Sequence, residues 1–490
     1  MPRHRLATLR LLVFFCSAAA AAAQAYFNND RWFETATDGR LGAIGSEATI
    51  TWGIATDGTT VPNVLPGVNR SSDLVASLDG WFGDAGGGSD LTQRPWFSFL
   101  ESSFDRWAAV SGVTFIYEPA DDGATHGLSN GVLGTRADIR LAGGRYDGTV
   151  GSNVGTLAFS IAPDNADIFL DTDDVAYYSN PSDDAFSLRH TLMHEIGHSL
   201  GLGHLISNNS AILMEPFPQT GFDGPQLDDV RGVQFLYGDA FESGGGNNTI
   251  ETATPLGTLD PGTSLTLGAD GDSTFFLTEA DTDFLSISRS NDTDVFAFQT
   301  AVATTLEISV TPVGFSYLQQ ITGPAVTIDS SAVGDLSLEV RQDGVSQGVI
   351  DVNGLGNAEA IAIELAPADL YTLHIAGRGQ GTQLYQLDLE VQEIPRQGDY
   401  NGDGVVDAAD YTVWRDTFGS QILLDADGDG SGQIDTADYS IWNNAYGDSQ
   451  SPAPTGILGI PEPGTVVLLL GHLAIASASA RVSRKNAAKR

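Results

Sequence analysis

The order of apolar and polar positions divides the chain into stretches of different texture. In Ala48-Thr49-Ile50-Thr51-Trp52 the two kinds alternate, and the β-branched residues fit a half-buried strand. From Pro95 to Val110 the period changes. Phe97, Leu100, Phe104, Trp107 and Ala108 fall on one side of a helix, and Val113-Thr114-Phe115-Ile116-Tyr117 is a strand after it. A further helix is expected to begin near Ser182 or Asp183, either of which can cap its first amides, and to end at Gly201. Ser243 to Asn248 has the composition of a flexible linker. From about Thr249 to Val391 short alternating runs, among them Thr305 to Val310 and Leu336 to Val340, are separated by Gly, Asp and Asn, which predicts an antiparallel β-sandwich. Two acidic, glycine-containing loops follow, each running into a short helix, Tyr411 to Thr417 and Tyr439 to Ala445.

The candidate chemistry lies in His194-Glu195-Ile196-Gly197-His198-Ser199-Leu200-Gly201-Leu202-Gly203-His204. His194 and His198 are one helical turn apart, so both can present an imidazole nitrogen to one ion. Gly201 has no Cβ and can take the left-handed conformation that ends a helix, which lets the chain turn back so that His204 reaches the same ion. Zinc with three protein ligands and an open position lowers the pKa of its bound water to about 7, and Glu195 stands beside the ligands to take the proton. His190, one turn earlier, is expected to be a partly exposed helix residue or a contact behind the ligands, and not a ligand.

These residues resemble the signature of the metzincin zinc proteases, H-E-x-x-H-x-x-G-x-x-H with a later Met-turn. Ala211-Ile212-Leu213-Met214-Glu215-Pro216 is similar to the Met-turn of the matrixin branch, which implies that Met214 forms an apolar floor under the metal. No tyrosine follows Met214 closely, which sets the chain apart from the astacin and serralysin branches. Leu227 to Gly238 resembles the last catalytic-domain helix of matrixins. Ala137 to Leu141 and Thr156 to Phe159 resemble sheet strands of the fold, the second being the edge beside which substrate lies. The sequence departs from the family at Phe169, two residues before Asp171, where matrixins often carry a structural-zinc histidine, so a second zinc is not carried over. Asp171 and Asp174 suit calcium, or form a solvated acidic turn. Pro218 stands where the family usually has a tyrosine in its main specificity pocket, so substrate preference is not carried over either.

Composition widens the picture. At 490 residues the chain is too long for one core, and its net charge of −40 argues against a nucleic-acid partner and favours calcium or a salty medium. Residues 1–25 read as a secretory signal, with Arg3, Arg5 and Arg10 before an apolar run and small residues ending at Ala25. The one cysteine, Cys16, lies inside that signal. The exported chain therefore has no disulfide, and none of the cysteine latch by which matrixin propeptides block the zinc.

The acidic loops repeat with a spacing of 28 residues. Asp399, Asn401, Asp403, Val405, Asp407 and Asp410 occupy positions 1, 3, 5, 7, 9 and 12 of a calcium loop, and Asp427, Asp429, Ser431, Gln433, Asp435 and Asp438 occupy the same positions of a second. Position 7 offers its backbone carbonyl. Two tandem loops with one helix each resemble dockerin modules, which implies Ca2+ and a cohesin-type partner. Asp292 to Phe298 and Leu370 to Ile375 look similar to bacterial pre-peptidase C-terminal domains. Pro461-Glu462-Pro463, the apolar stretch Thr465 to Ala480 and the basic end resemble a PEP-CTERM sorting signal; the same features also suit a permanent membrane anchor.

The expected molecule is multidomain. It has a signal peptide (1–25), an α+β metzincin catalytic domain of matrixin type (26–240), an antiparallel β-sandwich (249–392), a small α-helical dockerin with two calcium loops (397–449) and a sorting segment (461–490). It would be a secreted or cell-surface zinc metalloendopeptidase of a bacterium with a complex envelope. Its partners would be a protein or peptide substrate, a cohesin-type domain, the export and sorting machinery, and the membrane through its C-terminal segment. The competing readings are a non-enzymatic surface scaffold and a component of a polysaccharide-degrading assembly.

Overall fold

Strand Ala48–Ile54 carries Ile50, Trp52 and Ile54 into the interior and lies inside a five-stranded sheet. The order across that sheet is Val113–Tyr117, Ala48–Ile54, Ile139–Gly144, Ile168–Asp171, Ala158–Ser160. The first four strands are parallel, as the long crossovers between them require, and Ala158–Ser160 runs antiparallel along the outer edge. Helices Phe97–Ala108 and Phe186–Ser199 pack on each other, and their apolar sides share one core with the sheet: Ile50, Trp52, Leu100, Phe104, Trp107, Leu192 and Ile196 are all buried in it. Two indoles hold the main chain of the second helix, Trp107 Nε1 donating to the Met193 carbonyl at 2.9 Å and Trp32 Nε1 to the Ser199 carbonyl at 2.8 Å.

This description comes from a computed structural model, which covers residues 30–447 apart from 66, 148–154, 208–210, 273–275, 321–323, 380 and 395. The expected signal at 1–25 and sorting segment at 461–490 lie outside the described residues. Among the described residues no helix is long and apolar enough to cross a membrane.

The second helix starts later than the capping residues Ser182 and Asp183 suggest. Asp183, Asp184 and Ala185 pass through the left-handed region, with φ of 55°, 52° and 56°, and the helix begins at Phe186 without a side-chain cap. The Ala185 carbonyl accepts the first helical bonds, from Leu188 N at 2.9 Å and Arg189 N at 3.1 Å, so Ala185 and not Ser182 or Asp183 stands at the start of the helix.

Beyond residue 250, two sheets enclose a second core. One runs Thr254–Thr258, Thr293–Thr300, Ala368–Gly379, Gly334–Gln342, Val345–Ile350. The other runs Ser264–Leu267, Gln383–Glu393, Thr304–Pro312, Glu359–Leu365, with Leu285–Ile287 also on Gln383–Glu393. All pairings are antiparallel except that of Thr254–Thr258 with Thr293–Thr300. Leu306, Ile308 and Val310 of one sheet share the core with Leu338, Val340, Leu373 and Ile375 of the other, as their alternation demands. A hairpin of Ser316–Gln320 and Val326–Asp329 leaves this body.

The stretch 243–248 is not the free linker its composition suggests. Asn247 is 1% exposed, its carbonyl accepts from Val295 N at 2.9 Å, and Glu47 accepts from Gly244 and Gly245. The reason is that the modules on either side bury surface on each other. Val110, Leu227 and Val230 form one apolar cluster with Leu277, Phe284, Val313 and Leu384. Residues up to 396 thus make a single compact unit, and a second unit begins at 397. In the second unit, helices Ala408–Thr417 and Thr436–Ala445 are held by reciprocal bonds, Trp414 Nε1 to the Asp435 carbonyl and Trp442 Nε1 to the Asp407 carbonyl, both at 2.8 Å.

Candidate metal centre and substrate cleft

His194 and His198 project from the last two turns of helix Phe186–Ser199. Gly201 follows with φ of 105°, and a Cβ there would run into the Asp30 carbonyl, so only glycine lets the chain turn at this point. The turn returns His204 to the pair. Its Nε2 lies 3.2 Å from that of His194 and 3.1 Å from that of His198. The Nδ1 atoms of His194 and His198 each face a main-chain carbonyl, of Leu213 and Leu202 respectively, at 2.7 Å. A carbonyl can only accept, so each Nδ1 carries the proton and each Nε2 keeps its lone pair. Three Nε2 atoms turned toward one point, two of them with their lone pairs free, make a donor set that suits zinc. Burial and the neighbouring imidazoles push His194 well down, and burial takes His198 down to about 4, so both are neutral as metal ligands must be.

Glu195, on the same helix, is buried, with Oε2 lacking a hydrogen-bond partner; burial pushes its carboxyl up to about 8. A cation beside it would favour the ionised form. Met214 is buried against Gly197, the residue before His198, where a Cβ would meet its sulfur. The turn that carries it is pinned by a residue the sequence reading did not single out. Asp229, in the first turn of helix Leu227–Tyr237, accepts from Leu213 N at 2.7 Å, Met214 N at 3.2 Å and Gln226 N at 2.9 Å. An acidic residue at the third position of a helix signals a cap, but its reach to residues 213 and 214 depends on the tertiary fold.

A cleft of about 470 Å³ opens over the three histidines. Edge strand Ala158–Ser160 forms one wall; Leu213, Glu215, Pro216 and Pro218 form the other, so Pro218 does line the cleft. His190 lines it as well and is not partly exposed as expected. It is 3% exposed, stacked on Phe186 and tilted against Phe222, and burial takes its pKa down to about 4. Partial exposure, the first of the two expectations for it, fails because loop 217–224, polar in sequence apart from its phenylalanines, folds back over this turn of the helix, where Asp223 pairs with Arg189.

Among the described residues, three groups of three or more ligand-type side chains come together: the histidines, Glu242 with Asp292 and Asp294, and Asp427 with Asp429 and Asp438. Among the described residues Asp171 and Asp174 form no such group. The carboxylate of Asp171 instead accepts from the amides of Tyr146, Asp147 and Asp173 at 3.1–3.4 Å. Both dockerin-like loops have their position-6 glycine at positive φ, 84° for Gly404 and 80° for Gly432. Asp410 takes the amides of Tyr400, Asn401 and Asp407, and Asp438 those of Gly428, Asp429 and Asp435. In the second loop Asp427, Asp429 and Asp438 come together, and the first loop has Asn401 at the place of Asp429.

Residues 87–238 match the family model described as Matrixin. Metalloendoproteinase 1-MMP of Arabidopsis thaliana is 33% identical over 152 residues, 30% of this chain and 39% of its own. Hatching enzyme of Paracentrotus lividus is 31% identical over 195 residues, 39% of this chain and 30% of its own. Matrix metalloproteinase-16 of Homo sapiens is 31% identical over 148 residues, 28% and 23% of the two chains. The matches thus span less than half the length of these relatives. Among solved structures, a pre-peptidase C-terminal domain of collagenase from Bacillus anthracis shares 15% identity over 28% of this chain and 96% of its own at a TM-score of 0.16, too low to carry an argument. The chain carries a zinc metalloprotease domain of matrixin type.

Proposed function

We propose that this chain is an exported endopeptidase in which His194, His198 and His204 hold zinc and Glu195 serves as general base. The observation that supports it most is the meeting of three Nε2 atoms at 3.1–3.2 Å with two of the rings fixed in the metal-ready tautomer. When bound, zinc polarises the scissile carbonyl and lowers the pKa of its water. The rest falls to the chain's own residues. The exposed edge of strand Ala158–Ser160 takes an extended peptide as an added strand, which aligns the bond to be cut over the histidines. Glu195 accepts the proton of the attacking water and returns it to the leaving amine. The side chain beyond that bond enters between His190, Leu213 and Pro218.

Residues 397–449 act as a dockerin whose two loops bind Ca2+, and the 461–490 segment sorts the protein to the envelope. A cohesin-type partner suits the apolar side chains that the second unit leaves in solvent: Ile422 is 90% exposed, and Phe418, Leu423 and Tyr446 are all more than half exposed. The test is hydrolysis of casein by the purified chain with zinc and calcium. Glu195→Gln is expected to lose activity by a factor of 10² or more while keeping its zinc, and a chelator should abolish wild-type activity until zinc is restored. Equal activity in the variant rejects the assigned base.

A further inference from the structure

The third ligand, His204, is followed closely by a very short strand. That strand is Ile206–Ser207, and a two-residue strand does not hold itself. What fixes it comes from more than a hundred residues away. Ser316–Gln320 pairs antiparallel with it, Ile206 opposite Gln320 and Ser207 opposite Gln319. Ser207 N in turn donates to Glu215 at 3.0 Å, on the cleft wall.

The same hairpin reaches the metal centre by a second route. Tyr317, 1% exposed, donates its hydroxyl to Asp228 and accepts from Arg231 at 3.3 Å; Arg231 also bonds Asp228 at 2.9 Å and the Thr382 carbonyl at 3.1 Å. Asp228 is neighbour to Asp229, whose carboxylate holds Leu213 N and Met214 N, and the Leu213 carbonyl fixes Nδ1 of His194. The two routes end on different ligands, His204 and His194.

We propose that the paired strands Ser316–Gln320 and Val326–Asp329 of the second module are a positioning element of the metal centre, acting through Tyr317 and through the pairing of Ser316–Gln320 with Ile206–Ser207. The proposal rests on the zinc reading above. Groups that orient metal ligands from behind typically change affinity or activity by about 10–100-fold when removed, and here the orienting group belongs to a different module from the ligands.

The experiment compares the full chain with Tyr317→Phe and with Val340→Ala, a buried core change between the distant sheets. Zinc affinity is read by competition with a chromophoric chelator, together with Tm and with kcat and KM on one peptide. Tyr317→Phe is expected to weaken zinc by about tenfold and to lower kcat more than KM. Val340→Ala is expected to lower Tm with zinc affinity unchanged. Wild-type zinc affinity in Tyr317→Phe overturns the proposal, and so does an equal loss in Val340→Ala, which would make the effect one of general stability. If the wild-type chain binds zinc but cleaves nothing, the protease reading fails, and the zinc comparison still decides this one.

Discussion

At Gly201 a single hydrogen in place of a side chain decides where the third ligand goes. With φ at 105° and the Asp30 carbonyl against it, alanine would meet both backbone strain, on the order of 1–3 kcal/mol, and a main-chain clash. Gly201→Ala is therefore expected to lower Tm and, because the loop must shift, to weaken zinc through His204; unchanged zinc affinity by chelator competition would contradict this. Gly201 and the three histidines were legible from spacing alone, since a helix fixes two ligands and a glycine marks the turn to the third. Asp229 and the burial of His190 were not. Their partners, residues 213–214 and 222–223, are 15 and more residues away along the chain, and no period connects them.

Among the elements, those with a clear period came through best. The strand expected at 113–117 is Val113–Tyr117, and the helix expected within 95–110 is Phe97–Ala108. The two short helices after the acidic loops begin three residues earlier than expected, at Ala408 and Thr436, because Asp407 and Asp435 cap them. That cap links each loop to its helix. Asp438 has its carboxylate spread over three amides and is fully buried. Asp438→Ala leaves those amides unpaired and should cost this small unit about 2–3 kcal/mol. Calorimetry with and without Ca2+ is the check: the wild-type transition of the second unit should rise with Ca2+, and the variant's should rise less. A variant that gains as much from Ca2+ as the wild type would remove Asp438 from the proposed ligand set.

For the molecule as a whole, the junction that ties the two modules before residue 396 carries an unusual load of acid. Burial, then the charges of Asp292 and Asp239, push Glu242 up to about 8; burial takes Asp239 to about 7, and Asp294 is pushed well up. Asp292, Glu47 and Tyr385 face the same group, and Arg289 lies near Asp292. A carboxyl that holds its proton more tightly when folded stabilises the fold fully below the unfolded value near 4.5, and this contribution is lost as the pH rises to about 8. In chelator-treated protein, Tm of the first unit should fall over that window, and Glu242→Gln should make the fall shallower; a parallel profile would show that Glu242 does not carry it. Composition marked residues 243–248 as a flexible linker because it reports chain stiffness and is silent about what lies on either side. The boundary at 396–397 has the opposite character, being the place where the chain divides into two compact units. For anyone wishing to recombine this protein, that is where a foreign cargo should be spliced on or the acidic-loop unit grafted elsewhere, whereas a cut at the glycines near 245 would tear a shared interior in two.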